Sequence, residues 1–258
     1  MCAPVQLVCF DVDSSFCTDE SIDEIAAFLG KKDEVAALTA LAMGGSVPFQ
    51  DALQQRLAVI NPTKKAIAAF KREHPAVLSP GAASRSDPLQ ASRWRMRRGC
   101  TLRGRVACRQ RHAWRTTSRT TAGVGELVEA LQAKGTAIAL ISGGFRQIIE
   151  PLADTLGIPF SHVHANRILF DADGGYAGFD PAEFTSHSGG KAEACMHLKR
   201  DFGYEKVAMI GDGATDAEAR QPGGADIFIC YGGVVLRESV AAQADWVVTH
   251  MDELRTAL

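Results

Sequence analysis

The feature that most constrains this chain is a rhythm. From residue 124 onward, apolar runs of strand length alternate with segments of helical periodicity. Val124–Lys134 reads as helix, Ala137–Ile141 as strand, Phe145–Leu156 as helix, and a short strand follows near Val163. Helix Lys191–Phe202, strand Val207–Ile210, helix Thr215–Ala219, strand Ile227–Cys230, helix Arg237–Ala244 and strand Trp246–Val248 continue the pattern. Parallel strands need long crossovers, and helices supply them. The rhythm therefore predicts an α/β fold with a doubly wound parallel sheet and helices on both faces. RILFDADGGYAGF, residues 167–179, departs from it and reads as a hairpin around Asp173-Gly174-Gly175.

One strand stands apart from the rest. Val5, Leu7, Val8 and Phe10 form a first apolar run. Four helical patterns come next, at Ile22–Leu29, Glu34–Ala42, Phe49–Val59 and Lys64–Lys71, the last opened by Asn61-Pro62-Thr63. A helical block inserted after the first strand is expected as a small cap over the carboxyl edge of the sheet, where ligands bind in open α/β folds. The expected division is a core of residues 1–15 and 124–258, a cap of 16–81 and an insertion of 82–123.

The insertion has its own composition. It holds eleven arginines, one acid (Asp87), two tryptophans (Trp94 and Trp114), and neither lysine nor glutamate. It carries +10, so an overall net charge of −2 leaves −12 on the remainder. Neither a 3.6 nor a 2.0 period runs through it. Three readings stand: a basic arm for nucleic acid, a disordered surface insertion, or a translated intron. LSPG before it and VGELVEAL after it join into a turn leading to a helix, which favours the third. Nucleic acid is not expected as a partner on charge alone.

The remaining composition is that of a soluble globular chain, with 258 residues, 46% hydrophobic and 22% charged. No apolar run reaches 18 residues, so no membrane span is expected. MCAPVQLVCF enters the first strand at once, which gives no expectation of a targeting segment. Seven scattered cysteines without CxxC spacing suggest reduced thiols rather than a disulfide framework or a zinc site.

The chemistry lies at strand ends. LVCFDVDSS closes the first strand with Asp11 and Asp13, and a bare carboxylate there is costly unless its charge is compensated. The strand ending at Ile141 runs into Ser142-Gly143-Gly144, a helix start that suits an anion. GDGATD after Ile210 adds Asp212 and Asp216, and SGGK sets Lys191 at a helix start. Four carboxylates at two strand ends make a hard oxygen site suited to Mg²⁺, with Lys191, Ser142 and backbone amides left to hold phosphate oxygens. His162 and His164 read as structural.

DVDSS with GDGATD resembles the haloacid dehalogenase superfamily. FDVDSSFCTDESIDEIA, AMGGSVPF, LQQRLAVI, LISGGFR, ANR, GFD, SGGK and MIGDGATDAEAR resemble, more narrowly, its phosphoserine phosphatase family. EARQPGGADIFICYGG and ADWVV look most like the plant-type members. The likeness runs from Val5 to Leu258 outside the insertion. It implies a Mg²⁺-dependent enzyme that converts O-phospho-L-serine to L-serine, the last step of the phosphorylated pathway of serine biosynthesis. Asp11 would be the nucleophile that forms an aspartyl-phosphate, and Asp13 the acid and base. Mg²⁺ would be held by Asp11, the Asp13 carbonyl and Asp212, with Asp216 behind. Ser142, Gly143, Gly144 and Lys191 would hold phosphate, and Thr215 would lie near the substrate. In the cap, Glu20 would meet the substrate ammonium and Arg56 its carboxylate, with Met43 and Gly44 lining the pocket and Phe49 shielding it. The plant-type likeness suggests a plastid, with the cytoplasm as the alternative, and leaves a homodimer open. Ser15 stands where the family carries Thr. Rival readings are an inactive splice or gene-model product, a related small-molecule phosphatase, or a phosphotransferase.

Overall fold

The computed structural model describes residues 4–43, 48–74 and 120–258, with residues 42 and 43 in backbone only. Most of the arginine-rich segment, Trp94 and Trp114 included, and the predicted pocket residue Gly44 therefore lie outside the described residues.

Strand β1 (Leu7–Phe10) sits at the centre of the sheet. It pairs in parallel with β2 (Ala137–Phe145) on one side and β6 (Val207–Gly211) on the other, so that Phe10 stands beside both Leu140 and Ile210. With β3 (Val163–Asn166), β7 (Ile227–Tyr231) and β8 (Trp246–Val248) the order is β3-β2-β1-β6-β7-β8, parallel throughout. The winding direction changes at β1, and in such folds a crevice forms at the carboxyl end of that strand.

The pleat of β1 shows why the expected strand is apolar throughout. Val8 and Phe10 enter one core with Leu127, Val128 and Leu131 of α5 (Val124–Ala133) and Ile149, Leu152 and Ala153 of α6 (Arg146–Thr155). Leu7 and Cys9 face the opposite core with Ala194, Cys195 and Leu198 of α7 (Gly190–Phe202). A strand buried on both faces cannot alternate polar and apolar residues. Helices α8 (Ala214–Glu218) and α9 (Glu238–Ala241) follow β6 and β7; α9 is shorter than its pattern suggested. The final helix, α10 (Met251–Ala257), carries no strong sequence signal, yet its Met251 and Leu254 complete the first core.

Between β1 and α5 lie α1 (Ser21–Phe28), α2 (Lys32–Met43), α3 (Phe49–Ile60) and α4 (Lys64–Glu73). They share a core of their own, in which Ile25, Leu53, Leu57, Ile67 and Phe70 pack against Phe145 at the end of β2. The hairpin β4 (Ile168–Phe170) and β5 (Tyr176–Phe179) joins this core through Ile168. Its turn is set by Asp171, which accepts from the amides of Asp173 (3.0 Å) and Gly175 (2.7 Å). The chain leaves and re-enters the sheet side by side. Cys17 bridges Thr120, and Thr121 donates to the carbonyls of Phe16 (2.8 Å) and Ser15 (2.5 Å). Among the described residues no helix is long and apolar enough to cross a membrane, and Cys9, Cys17, Cys195 and Cys230 are free thiols.

His162 and His164 serve the second core. His162 Nε2 lies 2.9 Å from the Tyr204 hydroxyl, and His164 packs against Phe184 and His197 with its Nε2 unpartnered. Burial lowers the His164 pKa to about 4, helped by His197, Arg146 and His162. The folded state thus keeps this ring neutral while the unfolded chain protonates near its ordinary pKa of about 6.5. Stability should be full above that value and fall as pH drops from about 6.5 to about 4. The contribution lost is on the order of 3 kcal/mol. Urea unfolding of wild type and His164→Gln at pH 7 and pH 4.5 checks this, since the variant should lose less stability on acidification.

Candidate active site

The carboxyl ends of β1, β2 and β6 meet in a cavity of about 410 Å³. Asp11 follows β1, and its amide continues the ladder to the Ile210 carbonyl at 2.8 Å. The chain then folds back over the strand end: Phe16 packs edge-on against Phe10, ring centroids 5.3 Å apart. Ser14 makes the turn with φ of 58°, in the left-handed region.

Lys191 is the hub of the charge pattern. Its Nζ lies 2.9 Å from Asp11 Oδ1 and 2.6 Å from Asp216 Oδ1, and it is almost fully buried. Burial alone would lower its pKa, but Asp11 and Asp216 outweigh that and raise it. Asp11 is pushed well above the usual carboxylate range by burial and by Asp216, against the pull of Lys191. Asp216 Oδ2 also accepts from the Gly213 amide at 2.9 Å, which fixes the turn after β6. Two glycines allow the approach. A Cβ on Gly211 would lie 2.2 Å from Asp216 Cγ, and one on Gly190 would lie 1.6 Å from the Phe184 carbonyl oxygen.

Asp212, Asp11 and Asp216 each place one carboxylate oxygen within 4.8 Å of the others. Three hard oxygen donors so close fit a small divalent cation, which would relieve the repulsion that raises Asp11. The Asp13 carboxylate is not in this group. It accepts from Ser21 N (2.9 Å), Ser21 Oγ (2.5 Å) and Ser142 Oγ (3.2 Å). Burial raises its pKa, and the hydrogen bonds from Ser21 and Ser142 oppose the rise. Ser15, the departure from the expected Thr, keeps the hydroxyl in use by donating to Asp212 at 2.8 Å.

The helical layer supplies the opposite wall. Glu20, Phe49 and Arg56 line the cavity together with Gly143, Gly144 and Thr215. Glu20 accepts from Ser14 Oγ at 2.9 Å, and burial and Asp13 raise its pKa. Arg56 donates from Nε to the Ala52 carbonyl at 3.1 Å; burial lowers its pKa, opposed by Asp23 and Glu20. Met43 ends α2 and is described in backbone only.

Sequence reasoning overlooked several members. Arg237 lines the cavity, contacts the Asp212 carboxylate and donates to its carbonyl at 3.1 Å. A lone arginine in VVLRES gives no motif-level signal. Ser142–Gly144, expected at a helix start, lies instead in an irregular stretch of β2, because the strand runs on to Phe145 and the helix begins at Arg146; Asn166, fully buried, donates to the Gly143 carbonyl there at 2.7 Å. Ser14 and Ser21 carry no signal of their own beyond the stretches that contain them.

The chain as a whole is similar to known proteins. The family model described as haloacid dehalogenase-like hydrolase matches residues 8–220. The chain is 44% identical to the chloroplastic phosphoserine phosphatase of Arabidopsis thaliana over 98% of its own length and 72% of that protein. It is 41% identical to the phosphoserine phosphatase of Bos taurus over 97% of its own length and 92% of the other. The solved structure of DsGPDH from Dunaliella salina is 34% identical with a TM-score of 0.72, covering 98% of this chain and 36% of that one.

The clustered carboxylates make a binding prediction. At neutral pH, excess Mg²⁺ should raise the melting temperature by roughly 5 °C or more, as expected for a ligand well above its Kd. Asp212→Asn should remove most of that shift. An equal shift in wild type and variant, read by calorimetry, would place the cation elsewhere.

Proposed function

The chain belongs to the haloacid dehalogenase-like hydrolases and, within them, to the phosphoserine phosphatase family, and from that premise we propose that it hydrolyses O-phospho-L-serine to L-serine and phosphate. One observation carries the reading. A single cavity joins phosphate-handling groups at the sheet end, Asp11, Asp13 and Lys191, to a carboxylate and a guanidinium on the helical layer, Glu20 and Arg56. An amino acid bearing a phosphate presents the complement, an ammonium and a carboxylate at one end and a dianion at the other.

In this reading an Asp11 carboxylate oxygen attacks phosphorus. The bond from phosphorus to the serine oxygen breaks as Asp13 gives its proton to that oxygen. Water then attacks the aspartyl-phosphate, Asp13 takes its proton, and the bond to Asp11 breaks to restore the carboxylate. Burial that raises the Asp13 pKa favours a proton held ready for the first step. Lys191 and Ser142 stabilise the equatorial phosphoryl oxygens, and Gly143 and Gly144 let the substrate approach the backbone. Mg²⁺ would be held by Asp11, Asp212 and the Asp13 carbonyl, with Asp216 beside them, and would neutralise charge at the phosphoryl group.

Helices α1 to α4 act as a cap, residues 16–81, whose closure excludes water from the attacked phosphorus. The remaining division, core residues 1–15 and 124–258 with 82–123 as an insertion, follows. Likeness to a chloroplastic relative supports a plastid setting, and nearly equal identity to an animal enzyme keeps the cytoplasm as the alternative.

Phosphate release from L-phosphoserine is the direct test, run with and without Mg²⁺ on the full chain and on a chain lacking residues 82–123. Turnover should require Mg²⁺, and Asp11→Asn should reduce it roughly a thousandfold or more. Activity confined to the shortened chain would make the insertion inhibitory; folded but inactive chains in both forms would defeat the reading. Glu20→Gln and Arg56→Lys should each raise KM about tenfold or more, because a paired charge is left unmet.

A further inference from the structure

Asp13 and Ser14 leave the end of β1 side by side, and Glu20 and Ser21 open α1 side by side. The two pairs are cross-bonded. Ser14 Oγ donates to Glu20 Oε1 at 2.9 Å, while Ser21 donates twice to Asp13 Oδ1, from its amide at 2.9 Å and its hydroxyl at 2.5 Å. Both serines are buried, at 6% and 8% exposure. Neither hydroxyl has a part in the reaction described above.

The surroundings leave these contacts little freedom. Ser142 Oγ donates to the second Asp13 oxygen at 3.2 Å and in turn accepts from the Gly144 amide at 2.9 Å. A Cβ on Gly144 would lie 2.5 Å from Ser21 Oγ and 2.7 Å from Asp13 Oδ2, so β2 closes over the pair from the third side. Asp13 is thereby clamped on both oxygens, one by the helical layer and one by the sheet. Ser14 keeps a φ of 58°, which non-glycine residues seldom adopt, while its hydroxyl bonds to Glu20. A carboxyl held by short hydrogen bonds on both oxygens loses its choice of rotamer.

We propose that Ser14 and Ser21 are positioning residues with divided tasks: Ser21 aims the Asp13 carboxyl at the oxygen that receives its proton, and Ser14 aims Glu20 at the substrate ammonium. This rests on the roles given above to Asp13 and Glu20. The division has a kinetic consequence. Asp13 acts in both bond-breaking steps, giving its proton to the serine oxygen and then taking one from water, so its aim is felt in the transition states and appears in kcat. Glu20 holds the ammonium equally in ground and transition states, so its aim appears in KM.

The test uses the Mg²⁺-loaded full chain and three variants. Ser21→Ala removes one hydroxyl, Ser21→Thr keeps one, and Ser14→Gly removes the other while tolerating the left-handed backbone. Ser21→Ala should lower kcat about tenfold with KM within about twofold, and Ser21→Thr should recover most of the loss. Ser14→Gly should raise KM about fivefold or more with kcat nearly constant. Single-turnover serine release should slow in Ser21→Ala, whereas the burst of p-nitrophenol from p-nitrophenyl phosphate should not, because that leaving group needs no proton. A Ser21→Ala protein that melts lower but keeps wild-type kcat would reduce Ser21 to a helix-end residue. Two serine variants that both moved the same parameter would overturn the division. A wild type that does not turn over phosphoserine overturns the catalytic reading as well; one that does, with an unaffected Ser21→Ala, overturns this proposal alone.

Discussion

The site is organised around one buried ammonium. Lys191 sits between Asp11 and Asp216, 2.9 and 2.6 Å away, at the point where β1, β6 and α7 converge. Removing either sign alone would leave an uncompensated buried charge, which costs several kcal/mol. The arrangement is also incomplete as a charge balance. Asp212, Asp11 and Asp216 each place an oxygen within 4.8 Å of the others, Arg237 meets only Asp212, and the pKa of Asp11 is raised by burial first and by Asp216 second. Three hard carboxylate donors so placed could hold a divalent cation, as in the proposed reading. The glycines at 190 and 211 exist for the same reason, since any side chain there would force α7 or Asp216 away from the strand end.

The same convergence explains what could be read in advance. Runs such as LVCF and VAMI announce strands buried on both faces, and the carboxylates that end them are conspicuous because polar groups are otherwise absent there. Strand ends therefore located Asp11, Asp212 and Ser142 without any knowledge of the sheet order. The groups that stayed invisible act across long sequence separation. Arg237 reaches Asp212 from beyond β7, and Asn166 supports Gly143 from the edge strand. Nothing in VVLRES marks such a partner, and ANR, though it is among the stretches that resemble the family, does not say which group its Asn meets. Helix α10 escaped for a different reason: seven residues with two buried side chains give too little periodicity to register.

The arginine-rich segment precedes the point where the chain re-enters the sheet. The two chain crossings between sheet and helical layer are already paired at Cys17 and Thr120, and Thr121 fastens the returning strand to the carbonyls of Ser15 and Phe16. The added length lies upstream of Thr120, in the sequence that connects the two crossings. Lengthening such a loop from about four to about forty residues costs only roughly 2 kcal/mol in closure entropy. Composition agrees, because a segment carrying +10 with a single acid has no apolar periodicity to bury.

Those same crossings bear on how the helical layer meets the site. On one side, Thr121 holds the returning strand to the loop that follows Asp11; on the other, Ser14 and Ser21 exchange hydrogen bonds with Glu20 and Asp13 at the start of α1. The helical layer therefore does not hang over the sheet by a single connection. Its first helix is keyed directly into a carboxylate at the strand end, so any motion of that helix is felt at Asp13 and Glu20 together. A substrate that draws Glu20 toward its ammonium would pull on the same helix end that holds Asp13. Under the roles proposed for Glu20 and Asp13, recognition of one end of the ligand and readiness at the other would be joined through two pairs of consecutive residues, 13 with 14 and 20 with 21, rather than through the long path of the sheet.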